Sequence, residues 1–240
     1  MTTALSPSEQ LRTVSDRIWQ GLHAHPFITE LAAGTLPIDK FRFFIEQDNL
    51  YLVDYARCLA MGAAKSRDEV ELRYFATHLT QVLDQELPTN RDLLERVTAM
   101  GAVDRGGASG MAPANVAYTS YMRSLALHGG PLEIMASLLP CAWSYIEIAT
   151  ALSDTVDRDH PIYADWVGYF SLPVNVEMVA QMRSDFDQLV EDEASSGARR
   201  EEIERIFATS SRLEHQFWEM AYTLERWPDL AEDFAASERR

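Results

Sequence analysis

The chain has 240 residues, of which 47% are hydrophobic and 10% are aromatic, and this is enough apolar material for the core of one large domain. Its 21 basic and 37 acidic residues give a formal net charge of -16, which repels nucleic-acid phosphates and anionic lipid surfaces. The composition therefore argues against a nucleic-acid or membrane partner and favours a neutral or cationic small ligand, unless the acidity serves only solubility.

Two further features favour a cytoplasmic protein. Cys58 and Cys141 are too few for a disulfide framework, and the N-terminal stretch MTTALSPSEQ lacks the apolar core of a signal peptide. No apolar run approaches the roughly 18 residues that a membrane-spanning helix needs. We therefore expect a chain without a transmembrane segment.

Apolar residues recur at spacings of three and four along nearly the whole chain, which predicts an all-α fold. In chain order, the predicted helices cover residues 8–24, 38–65, 67–86, 89–100, 113–128, 131–153, 159–170, 174–192 and 198–226. The clearest breaks are at 34–37, 129–131 and 195–197, where Gly or Pro stands at a helix end. No break has the composition of an interdomain linker, so we expect one helical bundle.

Two acids fall on faces that should be buried. Asp48 lies in the apolar stripe of the predicted helix 38–65, with Tyr51 three residues further on. Glu214 lies in the middle of the apolar face of the predicted helix 198–226. Because an unpaired buried carboxylate is costly, each acid must be hydrogen-bonded, paired or facing a polar ligand. Each could instead cap a neighbouring helix or pair with an arginine.

The segment LLPCAWSYIE, residues 138–147, places a cysteine directly after a proline inside a predicted helix. Pro140 cannot donate an amide hydrogen bond to the carbonyl of Ala136, so we expect the helix to open or kink before the thiol. Cys141 shares its helix face with Tyr145, so a thiol and a phenol project into one space. Taken alone, a buried cysteine is usually an inert apolar residue, and we interpret Cys58 in that way.

Together, a thiol, two carboxylates and several tyrosines on inward faces provide a nucleophile with acid and base candidates. Four segments of the chain, in this order and spacing, resemble the TenA family, also called thiaminase II or aminopyrimidine aminohydrolase. They are HPFITELAAGTLPIDKFRFFIEQDNLYLVDYAR, LLPCAWSYIEIA, HPIYADWVGYF and SSRLEHQFWEMAY. The match is strongest over residues 25–227.

The resemblance implies an all-α fold of the haem-oxygenase-like type, a single TenA-like domain over residues 1–240 and assembly as a homotetramer. It also implies hydrolysis of 4-amino-5-aminomethyl-2-methylpyrimidine to the hydroxymethylpyrimidine used in thiamine synthesis. Cleavage of thiamine itself is implied as well, through a covalent cysteine adduct and without a metal or an organic cofactor.

The resemblance also implies roles for individual residues that stand at the family's functional positions. Cys141 resembles the nucleophile of the family, Asp48 the acid that binds the amino nitrogens of the pyrimidine, and Glu214 the acid that meets a ring nitrogen. The implied substrate-binding residues are Asp48, Tyr51, Tyr118, Tyr145, Phe170 and Phe44. Two positions depart from the pattern, since Phe170 stands where a tyrosine is common, with the nearest phenol at Tyr169, and Ala142 stands where many members have an aromatic residue. These departures leave the preferred leaving group open.

Three alternatives stay open beside the TenA-like hydrolase. The first is a metal enzyme of the same fold, although none of the six histidines forms the Glu-x-x-His pair that would place two ligands on one helix face. The second is a non-catalytic protein that binds a pyrimidine or regulates in response to it. The third is a hydrolase of a different aminopyrimidine, such as an N-formyl derivative.

Overall fold

The structure is a computed structural model that describes residues 5–194 and 196–228. Within these residues there are eleven α-helices and no β-strand, which confirms the predicted all-α fold. The helices are α1 (Pro7–Val14), α2 (Asp16–His23), α3 (Pro26–Ala32), α4 (Ile38–Lys65), α5 (Glu69–Gln81), α6 (Leu87–Ala99), α7 (Pro113–His128), α8 (Pro131–Leu152), α9 (Pro161–Phe170), α10 (Pro173–Glu193) and α11 (Gly197–Thr223). Ser195 of the predicted break and the first four residues of the N-terminal stretch lie outside the described residues.

Helix α8 is the central helix of the bundle and packs against α7, α9, α10 and α11. It begins at Pro131, whose missing amide is not needed in a first turn, and Glu133 accepts a 2.8 Å hydrogen bond from the amide of Gly130. The helix continues without interruption across Pro140, so the expected opening is not a break in the helix. Cys141 is therefore held on a long, well-packed element.

The sequence predicted no helix long and apolar enough to span a membrane, but α8 is such a helix. Pro131–Leu152 is long and apolar enough to span a membrane by length and composition, although Glu133 and Glu147 interrupt its apolar run. However, 72% of its most apolar 18-residue window is buried inside the bundle. Burial on all sides by neighbouring helices explains its apolar composition as that of a core helix.

The N-terminal region contains a helix that was not predicted from the sequence. The predicted helix 8–24 is divided at Ser15 into α1 and α2, and α3 follows immediately. At the start of α3, the His25 side chain accepts a 3.1 Å hydrogen bond from the amide of Phe27, and Pro26 occupies the first helical position. A side-chain cap and a proline thus fix a helix too short to show a clear apolar period.

The predicted gap between the helices 67–86 and 89–100 is also absent. A single π-helical turn, Val82–Glu86, joins α5 to α6, and the Leu87 amide bonds to the Val82 carbonyl five residues back. Pro88 explains the wider turn, because in a regular α-helix its ring would clash with the carbonyl of Asp84 and it has no amide to offer. The turn places Glu86 beside the interior of the bundle.

Candidate active site

Asp48 lies in the middle of α4 with 4% of its surface exposed, as the apolar stripe predicted. The side-chain amide of Asn90 on α6 donates a 2.7 Å hydrogen bond to its Oδ2 atom. Burial raises the pKa of Asp48 to about 7, and the hydrogen bond from Asn90 opposes this rise. Near neutral pH this carboxyl can therefore either hold or accept a proton.

Glu214 lies in the middle of α11 and is 1% exposed, so the second inward acid is buried as well. Burial and the charge of Asp48 raise the pKa of Glu214 to about 8, and the nearby Tyr118 hydroxyl opposes this rise. The Tyr118 hydroxyl faces Glu214 without reaching ordinary hydrogen-bond geometry, and Glu214 Oε2 has no partner among the described residues. A protonated Glu214 thus has a free hydrogen to donate.

Cys141 is a free, partly buried thiol on α8, one residue after Pro140. Burial raises its pKa well above the ordinary value, and the negative charges of Glu214, Glu86 and Asp48 add to the rise, while the nearby Tyr51 phenol opposes it. The thiol is therefore protonated at rest, and it needs a base if it is to act as a nucleophile.

Aromatic side chains enclose this group of polar residues. The ring centroids of Tyr51 and Tyr118 are 5.0 Å apart, and those of Tyr145 and Phe170 are also 5.0 Å apart. Phe44 stacks against Tyr145 at 6.5 Å. Tyr51, Tyr118 and Tyr145 lie close enough to Cys141 for the charge of the thiolate to raise the pKa of each phenol.

A cavity opens beside Cys141. Tyr145 and Phe170 line it with the thiol, as do the two residues at which the chain departs from the TenA pattern, Ala142 and Tyr169. The other predicted site residues are buried outside this lining; they are Phe44, Asp48, Tyr51, Tyr118 and Glu214. Cys141 thus lies between the cavity and a buried group of acids and phenols.

Two polar residues of this region were not predicted from the sequence. Asn90 holds Asp48, and Glu86 on the π-helical turn lines the cavity with Cys141. Burial and the charge of Asp48 raise the pKa of Glu86 to about 8. Pro88 was the available signal, because a proline inside a helical run indicates a local change of register that turns neighbouring side chains to another face.

The sequence profile of the TENA/THI-4/PQQC family matches residues 14–224. The chain belongs to this family. A relative from Halalkalibacterium halodurans named aminopyrimidine aminohydrolase is 35% identical over 213 residues, which cover 88% of this chain and 92% of the relative. The resemblance inferred from the four segments is confirmed.

Solved structures agree with this membership in the TENA/THI-4/PQQC family. A TenA homologue from P. horikoshii OT3 superimposes with a TM-score of 0.79 at 30% identity, covering 91% of this chain and 99% of the other. A domain with a haem-oxygenase-like fold from Shewanella denitrificans OS217 gives a TM-score of 0.64 at 13% identity, covering 90% of each chain. The expected haem-oxygenase-like fold is therefore confirmed.

In this member of the TENA/THI-4/PQQC family, the buried groups offer a specific chemistry. A neutral thiol lies near one carboxyl that can accept a proton and another that can donate one. Among the described residues, no three His, Cys, Asp or Glu side chains are arranged as a metal-binding cluster. The arrangement can support nucleophilic addition with general acid and base assistance.

Proposed function

We propose that the protein hydrolyses 4-amino-5-aminomethyl-2-methylpyrimidine to the hydroxymethylpyrimidine and ammonia, and that it also cleaves thiamine. This is the salvage of the pyrimidine part of thiamine. The observation that carries the proposal is a partly buried thiol near Asp48 and Glu214, two buried acids whose pKa values are raised to about 7 and about 8. The 35% identity to an aminopyrimidine aminohydrolase gives independent support.

The first step forms a covalent adduct. Asp48 accepts the thiol proton, the Cys141 sulfur bonds to ring carbon C6, and Glu214 gives its proton to the adjacent ring nitrogen N1. Addition breaks the aromaticity of the ring, so the electrons of the 4-amino enamine can expel ammonia from the protonated aminomethyl group on C5. The adduct then carries an exocyclic methylene group.

The second step restores the ring. Water adds to the methylene carbon, and its released proton goes to the departing ammonia. The C6–S bond then breaks, Glu214 recovers the proton from N1, and the sulfur recovers its proton from Asp48. The net change is replacement of ammonia by water, and the protein returns to its starting state.

The aromatic residues position the ring for both steps. Tyr51, Tyr118 and Tyr145 supply faces for stacking and hydroxyl groups for hydrogen bonds, and Phe44 and Phe170 complete the apolar wall. Phe170 has no hydroxyl group, but the neighbouring Tyr169 also lines the cavity and supplies one.

The test of the proposed function is product release by the purified protein. Hydroxymethylpyrimidine is measured by chromatography after incubation with the aminomethylpyrimidine and, in parallel, with thiamine. We expect each protein molecule to release hydroxymethylpyrimidine over many turnovers. With the aminomethylpyrimidine as substrate, ammonia should appear in equal amount. Binding of the pyrimidine without release would contradict the proposal and favour a non-catalytic binding protein.

The quaternary structure and location belong to the same proposal. The protein assembles as a homotetramer, and exposed apolar side chains such as Val70 (71% exposed) and Leu127 (59% exposed) offer surface for such contacts. It resides in the cytoplasm, where its two free cysteines stay reduced. Light scattering coupled to gel filtration tests the first statement, and cell fractionation tests the second.

A further inference from the structure

Glu86 is an acid in the cavity that the proposed reaction does not use. It lies on the π-helical turn and lines the cavity together with Cys141, Tyr145 and Tyr169. Among the described residues, no hydrogen-bond donor and no basic side chain contacts its carboxyl group. Within the described part of the chain, the charge of Asp48 is the one neighbouring charge that shifts its pKa. Glu86 is partly buried, and its side chain has no hydrogen-bond or ionic partner among the described residues to offset this partial burial.

The cavity around Glu86 contains no positive charge. No Lys or Arg is among its lining residues in the described part of the chain. Its one imidazole, His78, is neutral, because burial lowers the pKa of His78 to about 4. A cation that entered the cavity would lower the pKa of Glu86 and pair with the carboxylate that then forms.

The shape of the substrate directs one group toward Glu86, and this step rests on the proposed function. In the aminomethylpyrimidine, the C5 substituent lies between C4, which carries the amino group, and C6, where the sulfur adds. With the amino group at Asp48 and C6 at Cys141, this substituent projects between the two residues. Glu86 lines the cavity with Cys141, whereas Asp48 and Glu214 lie outside that lining. Like Glu214, Glu86 is close enough for its charge to act on Cys141 and for the charge of Asp48 to act on it.

We propose that Glu86 is a specificity-determining residue that binds the cationic leaving group of the substrate. That group is the ammonium of the aminomethylpyrimidine or the thiazolium of thiamine. The carboxylate forms an ion pair with the cation while the sulfur adds to C6. The hydroxymethyl product is neutral, so the ion pair is lost with the leaving group and the product is held less tightly.

The test measures binding in a background that does not turn over. Dissociation constants of the aminomethylpyrimidine and of the neutral hydroxymethylpyrimidine are determined by calorimetry at neutral pH for Cys141→Ser and for Cys141→Ser with Glu86→Gln. A hydrogen-bonded charge pair of this kind is worth about 10- to 100-fold in affinity. We expect Glu86→Gln to weaken binding of the aminomethyl compound by that factor and of the hydroxymethyl compound by less than about threefold.

Asp84→Asn is the matched control, because Asp84 is exposed on the same π-helical turn. It should leave both dissociation constants unchanged. Retained binding of the hydroxymethyl compound shows that the Glu86→Gln site is folded. Glu86→Asp, which keeps the charge on a shorter side chain, should lose less affinity for the cation than Glu86→Gln does.

Two outcomes separate this inference from the proposed function. If Glu86→Gln weakened the binding of both compounds equally, or changed the affinity for neither, the proposed role of Glu86 would be overturned. The proposed hydrolase activity would be unaffected by that result. Failure of folded Cys141→Ser to bind either pyrimidine would overturn the proposed function and this inference with it. In the chain with Cys141 intact, Glu86→Gln should also lower kcat/KM for the aminomethyl substrate more than for its neutral N-formyl derivative.

Discussion

The side-chain amide of Asn90 donates a 2.7 Å hydrogen bond to Asp48, and this contact joins α6 to α4 at the centre of the candidate site. Asp48 is otherwise surrounded by low-dielectric protein, which raises its pKa to about 7. The strength of Asp48 as a base near neutral pH is thus set by two opposed influences, its burial and the Asn90 contact.

Removal of the Asn90 amide should weaken catalysis through Asp48. In Asn90→Ala the carboxylate loses its hydrogen bond, so the pKa of Asp48 rises further and ionisation needs a higher pH. We expect kcat/KM at neutral pH to fall about 10-fold and the acidic limb of its pH profile to move upward. Arg91→Ala, at an exposed neighbouring position, is the control. A uniform loss of activity at every pH would argue against this role of Asn90.

Replacement of Glu214 should affect the chemical step more than binding. Glu214→Gln keeps the size of the side chain but cannot give a proton to the ring nitrogen, so kcat should fall by about 10²- to 10⁴-fold. The dissociation constant of hydroxymethylpyrimidine should change little. Glu219→Gln is a matched control on the same helix, because the Glu219 side chain is 55% exposed. A weakened affinity with unchanged kcat would make Glu214 a binding residue.

The buried acids also predict how stability depends on pH. Burial raises the pKa of Asp48 from 3.8 to about 7, so the folded protein retains a proton that the unfolded chain releases. The associated stability is fully present below about pH 4 and is lost as pH rises through about 7, at about 1.4 kcal/mol per pH unit. The melting temperature should fall from pH 5 to pH 8. Asp48→Asn should make this fall smaller, and Glu86 and Glu214, whose pKa values are also raised to about 8, account for the rest of it. Parallel curves for both proteins would refute the prediction.

Two helical glycines predict opposite effects on stability. A Cβ atom at Gly62 in α4 would overlap the ring of Phe75 in α5, whereas a Cβ atom at Gly168 in α9 has no neighbouring atom within 4 Å. Gly62→Ala should lower the free energy of unfolding by about 1–3 kcal/mol because of overpacking. Gly168→Ala should raise it by about 0.5–1 kcal/mol through the higher helix propensity of alanine. Denaturant unfolding measures both, and equal effects would contradict the packing of α4 on α5.

The helices that the sequence predicted well are those with long apolar periods. Residues 38–65 and 113–128 were predicted with the bounds that the structure has, and α8 differs by one residue. The short α3 was missed because its seven residues span only two turns, and its signals were a histidine cap and a proline. Local capping interactions contribute little to a periodicity that is read over longer windows.

Part of the candidate site was predicted from apolar periodicity, and the rest was missed because periodicity does not show it. Asp48 and Glu214 interrupt strong apolar stripes, so their burial could be inferred from periodicity alone. Glu86 and Asn90 lie where Pro88 changes the helix to a π-helical turn, which shifts the relation between sequence position and helix face. Their approach to Asp48 depends on the packing of α6 on α4, a tertiary contact that no local pattern contains.

Cys141 is the residue on which the proposed covalent mechanism depends most directly. The deciding measurement is release of hydroxymethylpyrimidine from the aminomethylpyrimidine by the unsubstituted protein, Cys141→Ser and the control Cys58→Ala, whose thiol is buried away from the cavity lining. We expect turnover in the first and third proteins and none in Cys141→Ser, which should still bind the pyrimidine with nearly unchanged affinity. Near-normal hydrolysis by Cys141→Ser would contradict the covalent mechanism.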